Sequence, residues 1–127
     1  MIVAQNTFFD HGFMILKSQK YDLEYPFGHR TLDLHNIAFQ KYHDLNKEFP
    51  IEEGKSTMHL PAILEFCGIP DERIAMKDGE VIKEGKPHNA LEDAKLEAEC
   101  VSRIMNGKGL FNDYAKFEIP KYLRKPQ

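Results

Sequence analysis

The sequence predicts an α/β domain, and three observations carry that expectation. An apolar β-type run at residues 1–4 passes into a helical pattern, a second β-type stretch at residues 30–34 does the same, and a long helix opens at Ala90. Strand and helix periodicities therefore alternate along the chain. With 127 residues there is room for one domain with a real but modest core.

The first run, Met1-Ile2-Val3-Ala4, ends at Gln5-Asn6 and reads as a buried strand. Phe9, Phe13 and Leu16 share one helical face, which predicts a helix over residues 7–19 with Asn6 or Thr7 as its N-cap. Residues 17–29 are polar and contain Pro26 and Gly28, the marks of a connection. Residues 30–34 read as a short strand, residues 37–45 as a helix, and residues 49–54 as the turn that closes it. His35 and His43 lie in this region with no carboxylate or histidine beside them at ligand spacing, so both are assigned to surface or packing roles.

Leu60, Ile63, Leu64 and Cys67 recur at helical spacing, Pro61 is tolerated in a first turn, and Gly68 suits the position just past the helix end. Residues 74–83 predict a hairpin, because two β-prone arms flank Asp78-Gly79, a pair that a type I′ turn prefers. Before the last helix, Asn89 is a favourable N-cap, and Glu92 stands three residues on, as in a capping box. Leu91, Ala94, Ala98, Val101 and Met105 mark its apolar stripe. At about 100° per residue, Asp93 falls roughly 110° from the centre of that stripe, so it can look into a cleft. His88 sits at the helix mouth. Gly107 and Gly109 end the pattern, and residues 111–127 form a tail in which Phe111, Tyr114, Phe117 and Tyr122 alternate with Lys116, Lys121, Arg124 and Lys125. Such rings either pack on the domain or stack nucleobases.

Composition narrows the function classes. The chain is 42% hydrophobic and 29% charged, ordinary for a globular protein. A formal charge of −3 argues against a protein that simply coats nucleic acid, though not against local substrate contacts. Cys67 and Cys100 are isolated, which predicts buried reduced thiols and no structural zinc site. No run approaches a membrane span and nothing at the N-terminus reads as a signal peptide, so the expected location is the cytoplasm.

Two stretches carry a family resemblance. His88-x-Ala90-x-x-Asp93-Ala94 is similar to the third exonuclease motif of the DEDDh 3′–5′ exonucleases, which include polymerase proofreading subunits, oligoribonuclease and ribonuclease T. A strand followed by Asn6-x-x-Phe9-Asp10-x-x-Phe13 resembles the second motif, and the two stand in the family's order. The strand at residues 30–34 and the helix ending in Cys67-Gly68-Ile69 resemble elements that lie between those motifs. The resemblance implies a ribonuclease-H-like fold, a mixed sheet flanked by helices with its N-terminal strands missing. It also implies a metal-dependent exonuclease that acts on 3′ ends of single-stranded DNA or RNA and releases nucleoside 5′-monophosphates. Asp10 and Asp93 would be ligands in a two-metal site for Mg²⁺ or Mn²⁺, hard ions that favour oxygen donors. His88 would be the general base, with an ordinary pKa of roughly 6.5 that suits the task near neutrality. Asn6, Phe9 and Asn89 would contact substrate.

The family's first motif, Asp-x-Glu, has no counterpart here. The resemblance puts it on strands upstream of Met1, so residues 1–110 match about the last two-thirds of a family domain. Asp22-Leu23-Glu24 has the right residue types, but it follows the second motif and falls in a connection. With two of the four carboxylates missing, the metal pair is expected to bind poorly and the chain alone to have little or no activity. The missing strands would leave an exposed sheet edge, open to a protein partner or a second copy. A chain cut short, a split enzyme and a degenerate relative are all compatible with this pattern. The alternative function is a catalytically inactive nucleic-acid- or protein-binding module of the same fold.

Overall fold

Ile2–Ala4 (β1) and Thr31–Asp33 (β2) pair in parallel, with Ile2 opposite Thr31 and Ala4 opposite Asp33. Parallel neighbours need a crossover, and the helix Thr7–Lys20 (α1) supplies it. The computed structural model that contains this βαβ unit describes residues 1–125; Pro126 and Gln127, the end of the expected tail, lie outside the described residues. The protein is mixed α/β, with four α-helices and three separate two-stranded ladders among the described residues, in place of the single mixed sheet expected. It divides into two compact units, Met1–Met58 and His59–Gln127.

In the first unit one carboxylate organises both helix starts. Asp33 Oδ2 accepts the Thr7 N–H at 2.9 Å, and its Oδ1 accepts from Asn6 N at 3.3 Å and from His35 N at 2.9 Å. Asp33 thereby serves the N-terminus of α1 and also that of the helix Leu34–Asn46 (α2), for which it is the N-cap. Asn6 does occupy the N-cap position of α1, but in a left-handed conformation with φ 56° and with no side-chain cap bond. The parallel register brings Asp33 in front of those N–H groups, and a full negative charge suits the positive end of a helix better than an amide does.

The helix forms where Phe9, Phe13 and Leu16 mark a shared face, and that face is exposed: Phe9 is 75% accessible, and Phe13 and Leu16 are open to solvent as well. Asp22, Leu23 and Glu24 are exposed and follow the end of α1, where Leu23 N–H donates to Ser18 O at 2.9 Å. After α2 the expected turn is a small hairpin, Ile51–Glu52 (β3) against Lys55–Ser56 (β4). Glu53 and Gly54 between them both have positive φ, 49° and 75°, as a type I′ turn requires. His43 stacks on Phe49 with ring centroids 4.4 Å apart, and His35 Nε2 lies 2.8 Å from Ser56 Oγ.

The second unit opens with the helix Leu60–Phe66 (α3), whose N-cap is the His59 ring, accepting from Ala62 N–H at 3.3 Å. Its end is a Schellman arrangement: Ile69 N–H donates to Leu64 O, Gly68 N–H donates to Glu65 O, and Gly68 has φ 73°. The hairpin Ala75–Lys77 (β5) and Glu80–Lys83 (β6) turns at Asp78-Gly79, both with positive φ. The helix Ala90–Asn106 (α4) then crosses the unit.

The buried side of α4 is not the stripe its small apolar residues mark. Glu99, Cys100, Arg103 and Ile104 are buried, while Leu91, Ala94 and Met105 are exposed. The two faces are roughly opposite at 100° per residue. The core that α4 meets consists of Ile63, Leu64, Cys67 and Ile69. Within it Arg103 (1% exposed side chain) and Glu99 (0%) pair at 2.7 Å. The guanidinium also donates to Cys67 O and Tyr114 O at 3.0 Å each, and Glu99 Oε2 accepts from Leu110 N at 2.7 Å and Phe111 N at 3.0 Å. This network pins the tail, where Tyr114 and Leu123 are buried in two short 3₁₀ turns, Asn112–Tyr114 and Lys121–Leu123.

Candidate functional site

Sequence geometry put His88 and Asp93 together at the mouth of α4, and the structure does so. Asn89 caps the helix, its side chain accepting from Leu91 N at 3.0 Å and from Glu92 N at 3.2 Å. The first turn closes with Asp93 N–H donating to Asn89 O at 2.8 Å. Glu92 does not complete a capping box; it pairs with Lys95 at 3.1 Å, an ammonium being a stronger partner for a carboxylate than a backbone amide. With the turn so held, His88 Nδ1 lies 3.5 Å from Asp93 Oδ2, and His88 Nε2 lies 3.2 Å from Ile74 O. A neutral imidazole has one N–H and can donate to only one of these two oxygens. His88 is the open member of the pair at 58% side-chain exposure, against 24% for Asp93.

The other oxygen of Asp93 meets a residue that sequence reasoning passed over. Arg73 Nη1 donates to Asp93 Oδ1 at 3.1 Å. The same guanidinium grips Asp71 in a fork, Nε to Oδ1 at 2.8 Å and Nη2 to Oδ2 at 3.0 Å. Asp71 also accepts the Arg73 backbone N–H at 3.0 Å. Hydrogen bonds from Arg73 hold the Asp71 carboxyl below its usual range, partly opposed by burial, and Asp71 raises Arg73 in turn. Backbone pairing aims the arginine: Ile74 N–H donates to Lys86 O and Lys86 N–H to Glu72 O, both at 2.8 Å. Gly85 makes that approach possible, since a Cβ there would stand 2.5 Å from the Arg73 carbonyl carbon. The available signal was the Asp71-x-Arg73 spacing, which predicts a local fork but not its reach across to Asp93.

Asp10 is in the first unit, in the first turn of α1, half-buried and with no side-chain hydrogen bond or ion pair among the described residues. Asn6 turns the chain into that helix and Phe9 is exposed beside Asp10. In the second unit a cavity of about 370 Å³ adjoins the cluster, lined by Arg73 and Asp93 together with Ile69, Leu96, Tyr114 and Phe117. Apolar walls with a few convergent charged groups are the usual make-up of a small-ligand site.

Asp10 and Asp93 each carry the oxygen donors that a hard divalent ion favours, and they belong to different units. No three His, Cys, Asp or Glu side chains gather around one point among the described residues. Asp93, moreover, already carries a cation on one oxygen. No helix among the described residues is long and apolar enough to cross a membrane. No family model matches this chain, and neither a curated protein nor a solved structure matches it.

Proposed function

We propose that this chain carries the second- and third-motif part of a metal-dependent 3′–5′ exonuclease of the DEDDh type, with a ribonuclease-H-like fold. Its substrates would be DNA or RNA 3′ ends and its products nucleoside 5′-monophosphates. The observation that carries the reading is the His88–Asp93 contact at a capped helix start. The Asn6–Phe13 stretch on a βαβ crossover supports it. Asp10 and Asp93 are the ligands for Mg²⁺ or Mn²⁺, and an Asp-x-Glu from another segment supplies the remaining two carboxylates. When bound, such ions lower the pKa of the attacking water and stabilise the leaving oxygen. His88 takes the water's proton on Nε2, which must first leave the Ile74 carbonyl, while Nδ1–H remains oriented by Asp93. Asn6, Phe9 and Asn89 flank the two motifs and contact substrate.

The exposed apolar faces of α1 and of α4 each fit coverage by further strands or by a partner, as a composite enzyme requires. The test joins the chain to a segment bearing Asp-x-Glu, adds Mn²⁺, and follows 5′-labelled DNA and RNA strands. Stepwise 3′ shortening is expected, with His88→Ala or Asp93→Asn slowing it by about 10²-fold or more. If no 3′ end of either kind is degraded, the reading is abandoned. One observation favours a second reading, a non-catalytic binding module: Arg73 already occupies Asp93. That reading predicts saturable oligonucleotide binding in EDTA, unaffected by Asp93→Asn.

A further inference from the structure

The cavity of about 370 Å³ in the second unit has walls that the exonuclease reading leaves unused. A cavity of roughly 150 Å³ holds one benzene ring, so this one has room for a two-ring body with a short side chain. Ile69 and Leu96 give it an aliphatic wall, and Tyr114 and Phe117 an aromatic one. Tyr114 is only 8% exposed. Its carbonyl accepts from Arg103 Nη2 and from Phe117 N, both at 3.0 Å, while its hydroxyl makes no hydrogen bond among the described residues. Beside this ring two carboxylates share one ammonium: Lys95 Nζ lies 3.1 Å from Glu92 Oε1 and 3.6 Å from Asp113 Oδ2. One negative charge is therefore left over at this end. The Tyr114 phenol feels it: burial first and then Glu92 push its pKa up, Asp113 and Glu99 add to the shift, and Lys95 opposes it. Elsewhere on the wall the carboxylates are matched, Glu72 with Lys86 at 2.5 Å and Asp93 with Arg73 at 3.1 Å. Lys116 is exposed and lies over the Phe117 ring, 4.8 Å from its centroid.

We propose that this cavity binds a small organic monocation, a protonated amine on an aromatic frame, with its ammonium at the Tyr114, Glu92 and Asp113 end. The ammonium supplies the positive charge that Lys95 cannot give to both carboxylates, and the phenol oxygen is a free acceptor for one of its N–H groups. Aromatic walls favour the same sign, because the face of a ring is negative. The frame of the ligand is driven in by the apolar surface of Ile69 and Leu96. A carboxylate ligand would instead bring a third negative charge to two that share one lysine. The site uses neither Asp10 nor His88, and Asp93 stays with Arg73, so it stands whether or not the chain serves an exonuclease.

The chain has no tryptophan, so the fluorescence of an indole probe is read without background from the protein's own indoles. The experiment titrates the full chain into tryptamine, tryptophol and indole-3-propionate, which share one frame and carry positive, zero and negative charge, and follows indole anisotropy. Tryptamine is expected to bind about fivefold more tightly than tryptophol, the scale of one partly exposed ion pair, and indole-3-propionate to bind most weakly. Asp113→Asn should reduce the affinity for tryptamine by up to about fivefold and leave that for tryptophol unchanged. Glu92→Gln repeats the test if circular dichroism shows that the asparagine variant has lost its fold. Leu96→Phe, which narrows the apolar end, should weaken all three probes together. Tryptophol or indole-3-propionate binding as tightly as tryptamine overturns the assignment of a cation. Tryptamine binding that is unchanged in Asp113→Asn and in Leu96→Phe lies elsewhere and overturns the site, as does the absence of binding by every probe at millimolar concentration.

Discussion

Replacing Arg103 by methionine tests the reading of the second unit's core most severely. The substitution keeps most of the apolar stem and removes three donors: the one to Glu99 at 2.7 Å and those to Cys67 O and Tyr114 O. Glu99, fully buried, would keep only the Leu110 and Phe111 N–H groups, and two buried carbonyls would lose their partner. Removing one partner of a buried pair costs about 3–5 kcal/mol, because the remaining charge stays desolvated. Set against a typical total of about 5–15 kcal/mol, that brings the unit close to unfolding at 25 °C. The chain has no tryptophan, but Cys67 and Cys100 are both buried in this unit, so thiol reaction with a disulfide reagent reports its opening directly. Hydrogen bonding from Cys67 and burial push the Cys100 thiol up, which keeps it unreactive while the unit is closed. Urea unfolding should show a midpoint shift of that size at constant slope, with thiol reaction faster in proportion. The variant Glu99→Leu/Arg103→Met, which removes both charges, should recover part of the loss. A loss below about 1 kcal/mol for Arg103→Met, with unchanged slope, would refute the claim that this network holds the tail to α4.

Two further predictions follow from single carboxylates. Asp33→Ala removes the acceptor for the first N–H groups of α1 and α2 together, and should cost about 1–2 kcal/mol per helix start. Hydrogen exchange should accelerate most at Thr7 and His35, and exchange that speeds uniformly along the unit would count against the double cap. Asp71 is held below its usual pKa by Arg73, so its stabilisation is complete above the ordinary value and disappears as pH falls through the lowered one. In that window the unfolded state binds more protons, so stability declines with acidity. Asp71→Asn should therefore flatten the stability–pH slope between about pH 5 and pH 2, measured by urea midpoints, and an unchanged slope would show that the fork is not formed in solution.

Local chemistry was legible from the residues themselves. The Asn89 cap, the Asp78-Gly79 turn and the Gly68 helix end each depend on groups within about one turn of chain, and each formed where expected. The meeting of His88 and Asp93 belongs to the same class, since a capped first turn brings residues five apart within reach. What long-range contacts decide was not legible. Periodicity marks Leu91, Ala94, Ala98, Val101 and Met105 as a face, yet α4 buries the opposite side. A pair that satisfies itself, Glu99 with Arg103, can occupy a core where charge alone would forbid it. Asn6 had the composition of a cap, but strand register handed that role to Asp33, twenty-seven residues away. Arg73 reaches Asp93 only because residues 72–74 pair with Lys86 across Gly85. Sequence by itself determined the helices, the Asn89 cap and the pairing of a histidine with an aspartate, because those interactions are local. Tertiary structure alone decided which helix faces are buried and which cation holds Asp93, because both depend on segments that meet only once the chain has folded.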